Sequence, residues 1–248
     1  MSAKIINLFG HHIAAATKRI GQKREQIIRA QARDLLVTAW RAEARRGEVE
    51  LSRILPIEPR WVLSRAFPSW RFVDVQKSLS NGREVGVLDR LTKTIQVSMS
   101  LPPTVRRFTG AHELGHLMLH NFRSLRESPL DNDGISRSAN PPEEQEANLF
   151  AAELLMPTRL VRKLFLRRFG SALYRDLLDE ATAFYCSGGG DFHASDFLNM
   201  TLLEMAKVIA ESDPLWTADS RPFTQIFGVS ATAMAIQLMD LGLVGINP

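Results

Sequence analysis

Ala111-His112-Glu113-Leu114-Gly115-His116-Leu117-Met118-Leu119-His120 is the stretch of this 248-residue chain on which the reading of the fold turns. His112 and His116 are four residues apart, so on a helix they stand about one turn apart on one face. Imidazole is a good zinc ligand, bonding at about 2.0–2.1 Å. Each ring can therefore aim one nitrogen at a common point. Glu113 adjoins a ligand position and can reach a water beside the ion. This is the HExxH arrangement, in which the glutamate acts as general base. His120 continues the four-residue spacing, but a straight helix puts it about 12 Å along the axis from His112. Bonds near 2 Å do not span that distance, so His120 reads as a helix-end residue or a group behind a ligand.

The flanking sequence puts the motif on a helix that follows a strand pair. Arg71-Phe72-Val73-Asp74-Val75 alternates apolar and polar residues, and Asn81-Gly82 is a turn signal. Residues 85–89 and 94–98 read as two strands of a hairpin. Pro102-Pro103 opens the motif helix, since proline is tolerated in a first turn, and that helix runs to about His120. Residues 121–142 have no apolar period, and Asp131-Asn132-Asp133-Gly134 with Pro141-Pro142 marks a loop. The next helix starts near Pro142 and continues through Ala147, Phe150, Ala151 and Leu154. It stops before Pro157.

A catalytic zinc usually has three protein ligands and one open position. The source of the third is the first turn of that second helix, where Glu143, Glu144 and Glu146 cluster. Spacing alone does not choose among them, and acids in a first turn are common for the helix dipole's sake.

HELGHLMLH followed by EEQEANLFAAELLMP resembles the ImmA/IrrE family of metallo-endopeptidases. That family carries HExxH, then a glutamate in an E-x-x-A-N/D-x-F-A pattern, then L-L-M-P. Here Glu144, Ala147, Asn148, Phe150 and Ala151 fill the second pattern, and Leu154-Leu155-Met156-Pro157 fills the ending. The resemblance runs over residues 85–157 and extends more thinly over 55–75. It implies Glu144 as the third ligand, one zinc ion per chain, and Asn148 as a group orienting a ligand histidine. It also implies a zinc-dependent endopeptidase whose protein substrate is a helix-turn-helix transcriptional repressor, cut to derepress genes of a mobile element or a stress response.

The fold class expected is α+β. A zincin-like core with a small β-sheet and the HExxH helix is flanked by a long N-terminal helix and a C-terminal helical segment. Ile20, Ile27, Ile28, Leu35, Leu36 and Trp40 recur at helical spacing, which predicts one long amphipathic helix over 13–46. A short helix is expected over 57–67, and further helices over 160–168, 173–185 and much of 195–248. Gly188-Gly189-Gly190 breaks the last two regions. The domain division is an N-terminal helical arm over 1–54, a peptidase core over 55–168 and a C-terminal helical region over 169–248.

Composition supports a globular chain, with 45% hydrophobic and 23% charged residues. No apolar run approaches the roughly 20 residues that cross a bilayer, so no membrane partner is expected. The start is broken by His11 and His12 and lacks a clean apolar run with a cleavage site, so no secretory signal is expected. A single cysteine, Cys186, forms no internal disulfide, and a cytoplasmic location fits. The net charge is +4. Residues 1–60 hold 12 Lys/Arg and 6 Asp/Glu, a net of +6, which leaves −2 for the remainder. A basic arm of this kind suits nucleic acid or an acidic partner, and an ordinary solvated helix face carries the same pattern.

Phe227-Gly228-Val229-Ser230 with Ala231, Met234, Ala235, Leu238, Leu241, Gly242, Leu243 and Val244 looks like part of a helix-turn-helix. Family members often carry a similar segment after the core. A DNA or repressor contact is one reading, and a small packed helical unit is the preferred one, because fold analogy does not give function. His193, Tyr174 and Tyr185 are candidate oxyanion donors among which nothing chooses. The competing functional class is a regulatory binding module with a structural zinc, or a toxin-like partner of an antitoxin. An open fourth zinc position argues against a purely structural ion.

Overall fold

A computed structural model of the chain describes residues 21–45, 55–76, 84–121, 126–129, 141–170, 195–196, 199–212 and 221–245. Among the described residues are eight helices and four strands, an α+β arrangement. The chain divides into two compact units, one over Thr17–Leu155 and the other built on Met156–Pro248.

The first unit holds the HExxH motif. Its helices are α1 (Gln22–Ala44), α2 (Pro59–Ala66), α3 (Pro103–Leu119) and α4 (Pro142–Leu155). Its strands are β1 (Arg71–Val75), β2 (Glu84–Asp89), β3 (Thr94–Ser98) and β4 (Arg126–Pro129), ordered β1-β3-β2-β4 in one sheet. β2 and β3 form the expected antiparallel hairpin, with Val87 opposite Gln96. The turn between them closes locally. The Asp89 carboxylate accepts the N–H groups of Leu91 at 2.8 Å and Thr92 at 3.2 Å. β1 lies parallel to β3, with Phe72 beside Ile95. α3 packs on β2 and β3, and Leu88, Ile95 and Val97 are buried on the sheet face they share with Gly86, which meets α3.

β4 departs from the expected loop over 121–142. It pairs antiparallel with β2, Val87 standing opposite Glu127, with an irregularity at Glu84/Gly86. Arg126-Glu127-Ser128-Pro129 has no apolar alternation, so the pattern that identifies the other strands is missing. An edge strand of four residues is held through main-chain bonds, which any sequence supplies, and Pro129 at its end fits an edge.

α1 differs in one detail from its apolar pattern. Ile28, Ala32, Leu35, Leu36 and Ala39 are buried, whereas Ile27 is 42% exposed. Neighbouring residues on a helix point about 100° apart, so Ile27 and Ile28 do not share a narrow buried stripe. The part of that helix expected before residue 21 lies outside the described residues, as does the Asn81-Gly82 turn. The buried stripe faces α4, where ion pairs flank it: the fully buried Glu153 meets Arg29 at 3.0 Å and Arg33 at 3.1 Å.

α3 and α4 pack side by side through small residues. A Cβ added at Gly115 would lie 3.0 Å from both the Cα and the carbonyl oxygen of Ala147 and 3.3 Å from its methyl group. Gly115 is thus the residue of the motif that lets the two helices approach. The C-terminal end of α3 is held by Arg90, whose guanidinium donates to the carbonyls of His116 at 3.1 Å, Leu117 at 3.2 Å and His120. The His116 carbonyl also accepts the His120 N–H at 3.2 Å, and a cation suits the negative end of the dipole.

The second unit contains α5 (Thr158–Phe169), α6 (Leu202–Glu211), α7 (Phe223–Phe227) and α8 (Ala231–Asp240). Thr201 and Glu204 form a reciprocal capping box at the start of α6. α6 packs on α8, and Met205, Ala206, Ile209, Phe227, Met234, Ala235 and Leu238 are buried in this unit. Gly228, at φ 62°, ends α7, and Ser230 caps α8 by accepting from the Ala233 N–H at 3.2 Å. α8 contains no Lys or Arg. The expected helix over 173–185 and the Gly188-Gly189-Gly190 break lie outside the described residues. No helix among the described residues is long and apolar enough to cross a membrane.

Candidate metal centre

His112, Glu113 and His116 lie in the second half of α3, where it runs between the sheet and α4, and each is at most 1% exposed. Glu144 comes from the first turn of α4 and is buried beside them. The His112 and His116 Nε2 atoms are 2.9 Å apart. Glu144 Oε2 lies 3.1 Å from His112 Nε2, and Glu144 Oε1 lies 3.3 Å from His116 Nε2. Among the described residues, these three form a group whose ligand atoms converge on one point. Glu143 is half-buried, and Glu146 turns to other partners, described below.

These distances suit a cation. Ligand atoms about 2.0–2.1 Å from a tetrahedral ion lie roughly 3.4 Å from one another, close to the spacing found here. Two neutral imidazoles and one carboxylate also form a suitable donor set, leaving a fourth position for solvent or substrate.

The protonation chemistry points the same way. Burial opposes ionisation of Glu144, but hydrogen bonds to both histidines and their positive charge outweigh it and hold the carboxyl well below the usual range. Burial likewise pulls His112 down, yet the Glu144 hydrogen bond and the Glu113 and Glu144 charges win and raise it. The pocket therefore favours a positive charge where the imidazole nitrogens meet the carboxylate.

Polar groups stand behind the candidate ligands. Asn148 Oδ1 lies 2.9 Å from His112 Nδ1, so that nitrogen carries a proton, and in the neutral ring Nε2 keeps its lone pair. His120 does not join the cluster. It caps α3, with its Nδ1 3.0 Å from His116 Nδ1. Glu113 is fully buried against the sheet, where a Cβ at Gly86 of β2 would come within 2.7 Å of its Oε1. Nothing in the motif spacing points to Gly86, because its role depends on a strand and a helix meeting; a glycine inside an apolar strand is its only trace in the sequence. His193, Tyr174, Tyr185 and Cys186 lie outside the described residues.

A buried His, His, Glu group with a second carboxylate beside it, on a helix packed against a small sheet, defines a zincin-like metallopeptidase centre. Residues 73–181 match the family model for the IrrE N-terminal-like domain, a segment that includes every residue of the cluster. Over these residues the chain carries an IrrE-like metallopeptidase domain of the ImmA/IrrE type, a hydrolase acting on peptide bonds of a protein substrate. No curated protein matches the chain as a relative.

Proposed function

We propose that the chain is a zinc-dependent endopeptidase that cleaves a helix-turn-helix transcriptional repressor and so derepresses genes of a mobile element or a stress response. The observation that carries the chemistry is the convergence of His112 Nε2, His116 Nε2 and the Glu144 carboxylate within about 3 Å of one another, next to the buried Glu113. In this reading His112, His116 and Glu144 hold one zinc ion per chain, and Asn148 keeps His112 in the tautomer that binds it. A bound zinc ion supplies Lewis acidity and makes water a stronger acid. The Glu113 carboxylate takes the proton of the attacking water and passes it to the leaving amide nitrogen. Its burial keeps bulk water from competing for that proton.

The repressor assignment rests on the family resemblance of the two motifs. The core over 55–168, between an arm over 1–54 and a helical region over 169–248, carries all of the proposed site residues. A cytoplasmic place of action goes with a repressor substrate. Mixing the purified chain with the helix-turn-helix regulator encoded beside it tests the proposal. Fragments are expected with zinc, and none with chelator or with Glu113→Gln. An intact regulator under all conditions would count against the substrate assignment.

A further inference from the structure

Behind His116 a line of polar groups runs from the cluster to the start of α1. His116 Nδ1 lies 3.0 Å from His120 Nδ1, and His120 Nε2 lies 3.1 Å from Glu146 Oε2. Glu146 in turn accepts two bonds from Arg24, Nε to Oε1 at 2.8 Å and Nη2 to Oε2 at 2.5 Å. The side chains of His120 and Glu146 are only 7% and 14% exposed. Three elements meet in this line: Arg24 stands in the first turns of α1, Glu146 on α4, and His120 at the end of α3.

Proton bookkeeping gives the line one arrangement. A histidine that offers its Nε2 lone pair to a cation carries its proton on Nδ1. On His116 that N–H faces His120 Nδ1, which accepts it only when the His120 proton sits on Nε2. The His120 Nε2–H then faces Glu146, which accepts as a carboxylate. Arg24 donates to both Glu146 oxygens, a fork geometry that matches a carboxylate acceptor. His112 differs, since its outer partner Asn148 is a neutral amide.

We infer that His120, Glu146 and Arg24 are positioning residues of the metal centre, which fix the His116 tautomer and tie the first turns of α1 to the bound cation. The inference rests on the reading of His112, His116 and Glu144 as ligands. It makes α1 a working part of the site, because docking of that helix and metal binding then strengthen each other reciprocally. Outer partners of ligand histidines commonly account for about 10–100-fold in metal affinity.

The test is zinc affinity of the full chain, read by competition with a chromophoric chelator, beside thermal unfolding of the metal-free protein. His120→Ala and Glu146→Gln are each expected to lose about 10–100-fold in affinity. Arg24→Ala is expected to fall in the same direction by less. His120→Gln, whose amide oxygen can accept the His116 proton, and Arg24→Lys are expected to recover part of the loss. Arg33→Ala removes another α1–α4 ion pair, to Glu153, and serves as the control. It should lower the unfolding temperature and leave affinity unchanged. Parental affinity in both His120→Ala and Glu146→Gln, or an equal loss in Arg33→Ala and Arg24→Ala, would overturn the inference. A parent chain that binds no zinc would remove the ligand assignment itself, a different result from parent and variants binding alike.

Discussion

Glu113 and Glu144 are two buried carboxylates near the same pair of imidazoles, and their surroundings differ. Glu144 faces both histidine Nε2 atoms, whereas Glu113 lies on the sheet side beside Gly86. Replacing Glu113 by Gln keeps the shape and removes the proton acceptor. Cleavage should fall by about 100-fold or more while one zinc per chain is retained, as metal analysis beside a cleavage assay would show. His116→Ala should lose both. The pH dependence has a definite sign. Raised His112 contributes stability that is complete below about 6.5 and is lost as pH rises through its folded value. Lowered Glu144 contributes stability that is present above about 4.5 and is lost as pH falls towards its folded value. The metal-free site is thus most favourable between those limits, and a cation must displace the His112 proton. Zinc affinity is expected to climb between about pH 6 and about pH 8, measured by chelator competition, and a flat profile would contradict the ligand role of His112.

At the scale of elements, the site depends on how closely α3 and α4 approach. Gly115→Val would push its side chain into the Ala147 backbone, 3.0 Å from the added Cβ. A loss of about 1–3 kcal/mol in stability is expected from chemical denaturation, together with weaker zinc binding. Gly86→Ala acts from the sheet side, against Glu113, and should reduce cleavage more than metal affinity. The helices and the hairpin were legible from the histidine spacing, the apolar residues and the bounding prolines and turn signals rather than from a clean burial period, since α3 is buried without a break over residues 109–116 and β3 at four of its five positions. β4 was not, since main-chain pairing at an edge leaves no side-chain signature. His112, His116 and Glu113 were legible from spacing on one helix. Glu144 needed the resemblance, because Glu143, Glu144 and Glu146 look alike until the packing of α4 on α3 turns Glu144 to the two histidines and Glu146 to His120 and Arg24. The link from Arg24 to Glu146 spans more than a hundred residues, so no local pattern could announce it.

At the scale of the molecule, all the ligand candidates and the residues hydrogen-bonded to them, Asn148 and His120, belong to the unit Thr17–Leu155. With one cysteine in the chain, no internal disulfide contributes to stability. Activity should therefore be indifferent to thiol reductants that do not strip metal, and a chelator should abolish it until zinc is restored. The unit built on Met156–Pro248 has an apolar core and a helix, α8, without Lys or Arg. α8 is thus built for packing, whereas α5 of the same unit carries Arg159, Arg162, Lys163, Arg167 and Arg168. The most direct measurement is diffraction from zinc-soaked crystals on both sides of the zinc absorption edge. One anomalous peak per chain is expected, about 2 Å from His112 Nε2, His116 Nε2 and a Glu144 oxygen, with a fourth position open to solvent. A peak elsewhere, or no peak in protein shown to be folded, would contradict the metallopeptidase centre described for this chain.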